Sequence, residues 1–166
     1  MAQTAAARTA RAAAGRHVLA IQDTTSIRVD ERGAGIFAHP VLAVDAASGF
    51  PLGLVDVLML SRAGGARATR RSRDIAGKQS RRWLEGARSA ACLRAAGAAC
   101  VTVVEDREGG IYDSFALRPA GVEKLVRVAR NRRLAQGGRL FEATAGCAGA
   151  GRMSVDLPAA PGRAAR

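Results

Sequence analysis

The sequence lacks several features that would each have indicated a class of protein. Its three cysteines form no Cys-x-x-Cys pair, which argues against a disulfide framework or a zinc site and favours a reducing, cytoplasmic location. No apolar stretch approaches the ~20 residues that a membrane-spanning helix needs, so we expect no membrane partner. Aromatic residues are only 4% of the chain. Much of the remaining apolar fraction is alanine, which removes little area from water, so we expect a thin core.

Acidic residues and lysines are scarce beside arginines. The 166 residues include 26 basic and 14 acidic ones, for a net charge of +12, and only Lys78 and Lys124 are lysines. A positive field of this size attracts phosphate polyanions such as nucleic acids and makes their binding depend on salt. The alternative is arginine-for-lysine drift in a genome of high GC content, which would carry no functional meaning. Nucleic-acid contact is the favoured interpretation.

Two short apolar runs each end in an aspartate. Residues 18–22 precede Asp23, and residues 100–105 precede Asp106. Runs this short, rich in β-branched residues and closed by polar ones, predict buried strands. If the two strands lie side by side, both carboxylates converge at one end of one sheet. They then repel each other unless a cation lies between them, and a divalent metal is the commonest one.

The other patterns complete an α/β protein. Runs at 36–44 and 50–60 predict an antiparallel hairpin, with Pro40 requiring either a strand that begins at Val41 or a bulge. The polar residues 24–35 predict a loop, and Thr24 and Thr25 are expected to satisfy backbone groups there. The later elements are a helix from about residue 75 to Gly97, a short helix at 111–117, a strand at 122–128, and pieces of a hairpin at 139–141 and 152–157.

This β-β-β-α-β-α-β order matches the mixed sheet of the ribonuclease-H-like fold, whose first and fourth strands are neighbours. Asp23 and Asp106 would then lie on adjacent strands. We expect an Ala/Arg-rich leader at 1–17, frayed or helical, and an incomplete ribonuclease-H-like core at 18–130. The start of a β-rich insertion is expected at 131–166.

Four segments in register resemble bacterial insertion-sequence transposases of the IS-four type. Residues 21–26 (IQDTTS) resemble the family's Asp-Thr-Thr strand, and residues 104–112 (VEDREGGIY) its Asp-Arg-Glu-x-Asp-Ile strand end. Between them, residues 39–44 (HPVLAV) resemble the second strand, and residues 78–83 (KQSRRW) the Lys-Glu-Ser-x-x-Trp start of a helix. The similarity runs from about residue 18 to the end of the chain.

The resemblance implies DNA transposition by an Asp-Asp-Glu triad on a ribonuclease-H-like core. Asp23 and Asp106 would be the first two acids and the metal ligands of the triad. In the intact family two Mg²⁺ (or Mn²⁺) ions stabilise the attacking and leaving oxygens during phosphodiester hydrolysis and strand transfer. The implied partners are the double-stranded DNA ends of a transposon and, for a full-length relative, a second copy in a synaptic complex.

The chain departs from the family at the third acid. That acid is a glutamate in a Tyr-x-x-Arg-x-x-x-Glu helix, whereas Tyr112, the one tyrosine here, is followed three residues later by Phe115. We therefore expect a fragment that lacks both ends of a transposase, with weakened metal binding, no cleavage on its own, and apolar surface exposed on one face of the sheet.

Other residues carry weaker interpretations. Lys78, Arg82 and Arg107 could contact DNA, but Lys78 and Arg82 also suit a solvated helix face, and Arg107 a surface ion pair. Trp83 is expected in the core and His39 as a hydrogen-bonded structural residue.

Two further functions remain as alternatives. One is a non-catalytic basic nucleic-acid-binding module whose acids are structural. The other, a phosphotransferase with Asp23 as nucleophile, ranks last, because no glycine-rich phosphate loop follows the first strand.

Overall fold

The computed structural model describes residues 2–28, 35–61, 81–149, 151 and 154. The chain divides into two compact units, Met1–Ala129 and Arg130–Arg166. The first unit is α/β and its described strands form one mixed sheet of six. Its elements are α1 (Ala2–Ala13), β1 (His17–Gln22), β2 (Thr25–Arg28), β3 (Gly35–Asp45), β4 (Pro51–Ser61), α2 (Arg81–Ala95), β5 (Cys100–Glu105), α3 (Tyr112–Ala116) and β6 (Glu123–Val126).

Strand β1 lies at the centre of the sheet. It pairs in parallel with β5 and antiparallel with β3, while β4 pairs antiparallel with β3 and β6 in parallel with β5. Strand β2 continues along the same edge of β3 in the register of β1, because Gln22 lies opposite Val41 and Thr25 opposite Ala38. Counted as one interrupted strand, β1 and β2 give the order β4-β3-β1/β2-β5-β6.

One face of the sheet is covered by α1 and α2. Alternate residues of β1 and β5 point to this face, and they pack there with residues of β3 and both helices. The expected thinness of the core is confirmed, since its buried cluster is alanine and valine apart from Leu93. Gly97, with φ of 97°, lies just past the end of α2 and leads the chain into β5. The opposite face keeps apolar side chains accessible, such as Ile21 at 37% and Leu125 at 60% exposure.

The predicted leader is helical and belongs to the core. Helix α1 packs on β4, where the Thr9 hydroxyl donates to the Leu54 carbonyl at 2.8 Å, and Ala13 is fully buried. The helical alternative is thus confirmed, and the helix contributes to stability because it removes one end of the apolar cluster from water.

The hairpin predicted from residues 36–44 and 50–60 is confirmed as β3 and β4. Strand β3 does not begin at Val41 but runs through Pro40, and its register against β4 shifts between Val41 and Leu42 and again between Ala43 and Val44. The loop predicted at 24–35 is wrong at its start, where Thr25–Arg28 form β2. Pairing along an existing strand edge outweighed the weak local signal of these polar residues.

The later elements are confirmed with narrower bounds for α3 and β6, and the expected beginning of α2 lies outside the described residues. In the second unit, the hairpin piece predicted at 139–141 is wrong. Arg139 makes a single bridge to Arg133, and helix α4 (Leu140–Ala145) begins immediately after it. Apart from Ser154, the piece at 152–157 is outside the described residues. Among the helices that the structure describes, none is both long and apolar enough to cross a bilayer.

Candidate functional site

Asp23 and Asp106 follow the paired ends of two neighbouring parallel strands. Gln22, the last residue of β1, lies opposite Glu105, the last residue of β5. The next residue on each strand is an aspartate, so both acids leave the sheet at its carboxyl edge on adjacent strands. The sequence-based expectation that these two strands are neighbours is confirmed. Crevices at this edge, where parallel strands end, are the usual position of ligands in open α/β sheets.

A break in the strand ladder positions Asp23. The shared register of β1 and β2 places Asp23 opposite Pro40 and Thr24 opposite His39. Asp23 and Thr24 themselves belong to neither strand. The Ala46 N–H donates to the His17 carbonyl of β1 at 2.9 Å. In an antiparallel pair every second residue directs its backbone N–H to the same neighbour, so position 40 is one that would donate to β1. Pro40 has no N–H to offer the Asp23 carbonyl. The chain therefore leaves the ladder at the acid and rejoins it two residues later.

Both carboxylates are held by local backbone N–H groups. The Thr24 N–H donates to Asp23 Oδ1 at 2.7 Å, and the Glu108 N–H donates to Asp106 Oδ1 at 2.7 Å. The second contact is an Asx turn, which fixes the first residues after β5. Within the described residues neither aspartate forms an ion pair. The two acids are thus oriented by their own turns and not neutralised by a partner there.

The residues just before the acids form a buried polar layer beneath them. Glu105 Oε1 accepts from Lys124 Nζ at 2.6 Å and from Gln22 Nε2 at 2.6 Å. Gln22 Nε2 also lies 3.2 Å from the Trp83 carbonyl, and Lys124 donates to the Ser114 hydroxyl. Glu105 is only 3% exposed and Gln22 2%. These contacts tie the ends of β1, β5 and β6 together across the sheet.

The layer continues from Gln22 to the surface through one histidine. Gln22 Oε1 lies 3.0 Å from His39 Nε2, and His39 Nδ1 lies 2.9 Å from the Thr24 hydroxyl. Since the amide oxygen can only accept, Nε2 carries the proton and Nδ1 accepts from Thr24. Arg82 Nε then donates to Thr24 Oγ1 at 2.8 Å. The chain of hydrogen bonds therefore has one direction and contains a neutral imidazole.

Two glycines make room for this layer. A Cβ on Gly86 of α2 would collide with Gln22 Oε1, and a Cβ on Gly109 would collide with the side chain of Glu105. Trp83 packs its ring edge-on to His39, with centroids 4.7 Å apart. Helix α2 and the turn after β5 thus approach the polar side chains closely enough to exclude water from them.

Burial shifts the protonation equilibria of the layer. It lowers the pKa of His39 from 6.5 to about 4, with the Arg82 charge acting in the same direction and Asp23 against it. Burial also raises the pKa of Glu105, although the hydrogen bond and charge of Lys124 counter the effect. Burial lowers the pKa of Lys124, whereas the hydrogen bond and charge of Glu105 act to raise it. Glu105 Oε2 is buried without a hydrogen-bond partner in the described part of the chain.

The other predicted contact residues have different outcomes. Lys78 lies outside the described residues. Arg82 does not lie on a solvated face, because its side chain is 12% exposed and pairs with Glu108 at 2.8 Å. Arg107 is exposed in the turn after β5. Thr24 links His39 to Arg82 and does not cap the backbone, so the role expected for it is wrong, whereas the structural role of His39 is confirmed.

Sequence reasoning missed the inward-facing residues. Gln22 continues the buried alternation of Val18 and Ala20, and Glu105 that of Val101 and Val103. A polar residue in the inward phase of a strand must be paired inside the protein. That signal was available in the sequence, but the partner Lys124 follows Glu105 by 19 residues and could not be identified from it.

The described residues do not complete a divalent-metal site. Two carboxylates are hard oxygen donors of the type that Mg²⁺ prefers, but no group of three or more His, Cys, Asp or Glu side chains that could hold a metal occurs among the residues that the structure describes. Glu105, the nearest further acid along β5, is buried and paired with Lys124. The arrangement can therefore place two negative charges at a sheet edge and has a guanidinium close by.

Comparisons with known proteins add no assignment: no protein-family model matches the chain, and no curated protein matches it significantly.

Proposed function

We propose that this chain is an incomplete catalytic core of a DNA transposase of the Asp-Asp-Glu type, built on a ribonuclease-H-like sheet. It would bind double-stranded DNA and would not cut it alone. With β1 and β2 counted as one interrupted strand, β5 is the fourth strand and lies beside the first. This neighbour relation is the one that the ribonuclease-H-like fold requires. The four sequence segments that resemble the transposase family support the same assignment.

The observation that carries the proposal is the pairing of Gln22 with Glu105 on parallel strands. It puts Asp23 and Asp106 at one edge, each directly after its strand. A site for phosphodiester chemistry needs acids on neighbouring strand ends of this kind. The buried layer of Gln22, Glu105, Lys124 and His39 supports the edge from below, so that the acids are held on a rigid scaffold.

The charge balance supports DNA as the partner. A net charge of +12 attracts the phosphate backbone of DNA. The two aspartates oppose this field locally, since a phosphate brought to them meets like charge. DNA binding and the acid pair are therefore coupled, and the coupling can be measured.

The alternative is a basic nucleic-acid-binding module in which the acids are structural. This alternative is favoured by the absence, among the described residues, of any group of three acids or other metal ligands that would assemble a catalytic triad. In such a module DNA binds away from Asp23 and Asp106, so the affinity for DNA does not depend on them beyond their contribution to net charge.

Fluorescence anisotropy with a duplex separates the two functions. We expect the double variant Asp23→Asn/Asp106→Asn to bind DNA more tightly in the presence of a chelator, by about fivefold for each charge removed from beside a phosphate. Mg²⁺ should tighten binding by the wild-type chain and have little effect on the double variant. The matched control is Glu85→Gln/Glu123→Gln, which removes two acids from other surfaces.

An effect no larger than that of the control, together with no response to Mg²⁺, would establish the binding module instead. Cleavage is tested separately with transposon-end duplexes in Mg²⁺ or Mn²⁺, where we expect no turnover. Robust turnover that Asp23→Ala abolishes would show that the core is complete.

A further inference from the structure

The second unit holds a short turn rich in arginine, residues 130–139, which we name the arginine turn. Arg133 and Arg139 form its bridge, and the Leu134 N–H donates to the Gly138 carbonyl at 3.2 Å. Gly137 and Gly138 have φ of 94° and 74°, a conformation that favours glycine. The Leu140 N–H returns to the Arg132 carbonyl at 2.9 Å. Backbone hydrogen bonds therefore define the shape of the turn.

Asn131 fastens this turn to helix α4. Its side-chain oxygen accepts the Phe141 N–H at 2.9 Å, and its amide donates to Glu142 Oε1 at 3.0 Å. Its backbone carbonyl accepts from Arg139 Nη1 at 3.2 Å. Glu142, the one acid among the described residues of this unit, is thus engaged by an amide. The polar contacts hold the arginine turn and leave it strongly positive.

Arginines outnumber acidic residues in and around the arginine turn. Residues 130–139 contain four arginines and no acidic residue, and the second unit has seven arginines against two acids. The backbone bridge places Arg133 directly opposite Arg139, and like charges opposite each other destabilise a strand pair. None of the described residues in this unit is buried, so apolar burial does not offset the repulsion. A polyanion bound across the two arginines would relieve it.

We propose that the arginine turn clamps the phosphate backbone of duplex DNA, with Arg133 and Arg139 each contacting a phosphate. The planar guanidinium donates two parallel hydrogen bonds to phosphate oxygens, which lysine cannot do. Contacts of this type position a protein on the duplex and carry no base sequence. The charges by themselves fit any phosphate polyanion, and the choice of duplex DNA rests on the proposed function.

The test is the salt dependence of duplex binding by the full chain. Anisotropy is measured in chelator, with a duplex of about 20 base pairs of arbitrary sequence, from about 50 to 300 mM salt. Arg133→Gln/Arg139→Gln should reduce the slope of log K against log salt by about 2, at about 0.9 per phosphate contact, and weaken binding about tenfold or more. Circular dichroism should show that the variant keeps its fold, since both side chains are exposed.

The matched control is Arg8→Gln/Arg11→Gln, which removes the same charge from exposed positions on α1. We expect it to leave the slope nearly unchanged, and Arg133→Lys/Arg139→Lys to retain the slope with weaker affinity. Equal slope changes in the control and test pairs would mean that only net charge matters, and would overturn the clamp. Tighter binding of a single-stranded RNA of the same length, dependent on both arginines, would overturn the assignment to duplex DNA.

These outcomes are independent of the acid pair, because chelator is present and Asp23 and Asp106 are unchanged. A lost slope in Arg133→Gln/Arg139→Gln supports the clamp even if the Asp23→Asn/Asp106→Asn double variant shows the binding module. An unaffected slope removes the clamp even if the acid pair responds as a transposase core should.

Discussion

The two ends of the central sheet treat their acidic residues differently. At one end Asp45 accepts from Arg16 at 2.7 Å, from the Ala47 N–H at 3.1 Å and from the Ser48 hydroxyl at 3.0 Å. At the other end Asp23 and Asp106 each accept one local backbone N–H and, within the described residues, form no ion pair. An acid with several protein partners stabilises the fold. An acid without an ionic partner is available to a ligand.

The carboxyl edge combines both arrangements in two layers. In its buried layer Glu105 forms an ion pair with Lys124, as Asp45 does with Arg16 at the other end. Its outer layer is the pair of aspartates one residue further on. Mutations of Gln22 or Glu105 should therefore affect stability, whereas mutations of the next residues, Asp23 and Asp106, should affect ligand binding.

The largest effect should come from removing the cation of the buried layer. Lys124→Met leaves the Glu105 carboxylate buried without its partner, and we expect the free energy of unfolding to fall by about 3–5 kcal/mol. Urea denaturation followed by circular dichroism measures the loss. The control Lys124→Met/Glu105→Leu removes both charges and should recover most of it. A loss below about 1 kcal/mol in the single variant would show that water reaches Glu105.

The next effect is a dependence of stability on pH through His39. Its pKa is about 4 in the folded chain and 6.5 ordinarily, so the unfolded chain takes up a proton first as the pH falls. Stability should therefore decrease between pH 6.5 and about 4, by about 3 kcal/mol. In His39→Gln this part of the decrease should be absent. Identical pH profiles for the two proteins would contradict a neutral, buried His39.

A smaller effect should distinguish two adjacent glycines. A Cβ at Gly109 would collide with Glu105, whereas at Gly110 it would meet the Arg107 carbonyl oxygen and Val126 at ordinary distances of 3.4 and 3.6 Å. We expect Gly109→Ala to destabilise the fold by about 1–3 kcal/mol, and Gly110→Ala by less than about 0.5 kcal/mol. Urea midpoints compare them. Equal losses would mean that the buried layer shifts freely.

The smallest effect should be at the outer acids. Asp23→Asn and Asp106→Asn should change the free energy of unfolding by no more than about 0.5 kcal/mol. Asp45→Asn should destabilise the fold, because the pKa of Asp45 is lowered chiefly by the Ala47 N–H. That contribution is present above the carboxyl's unfolded pKa and is lost as the pH falls through its lower folded pKa. Thermal melts at neutral and acidic pH measure all three, and a larger loss at Asp23 than at Asp45 would invert the comparison.

Strand periodicity predicted much of the fold. The runs before Asp23 and Asp106 are β1 and β5, and their parallel pairing follows the expected order of elements. Strand β2 was missed because its polar residues carry no alternation, and its existence depends on pairing with β3. Helix α4 was missed because residues 139–141 have no periodic pattern long enough to separate a strand from a short helix.

The candidate site was predictable only in its outer layer. The two aspartates stand out because each ends an apolar run. The link from Glu105 to Lys124, and that from Gln22 to His39, join residues brought together by tertiary pairing. The sequence allows either a DNA contact or a solvated helix face for Arg82, because its contacts with Thr24 and Glu108 come from elements that are remote in sequence.

Pro40 on β3 determines the backbone conformation at Asp23, which follows the neighbouring strand β1. Proline has no N–H to donate to the Asp23 carbonyl. Pro40→Val would supply this N–H and allow β1 and β2 to form one continuous strand. The backbone at Asp23 would then be straightened and its carboxylate re-aimed, with the acid itself untouched. A substitution at a half-buried position on another strand would thus change the reach of the edge toward the proposed DNA partner without altering any of its charged groups.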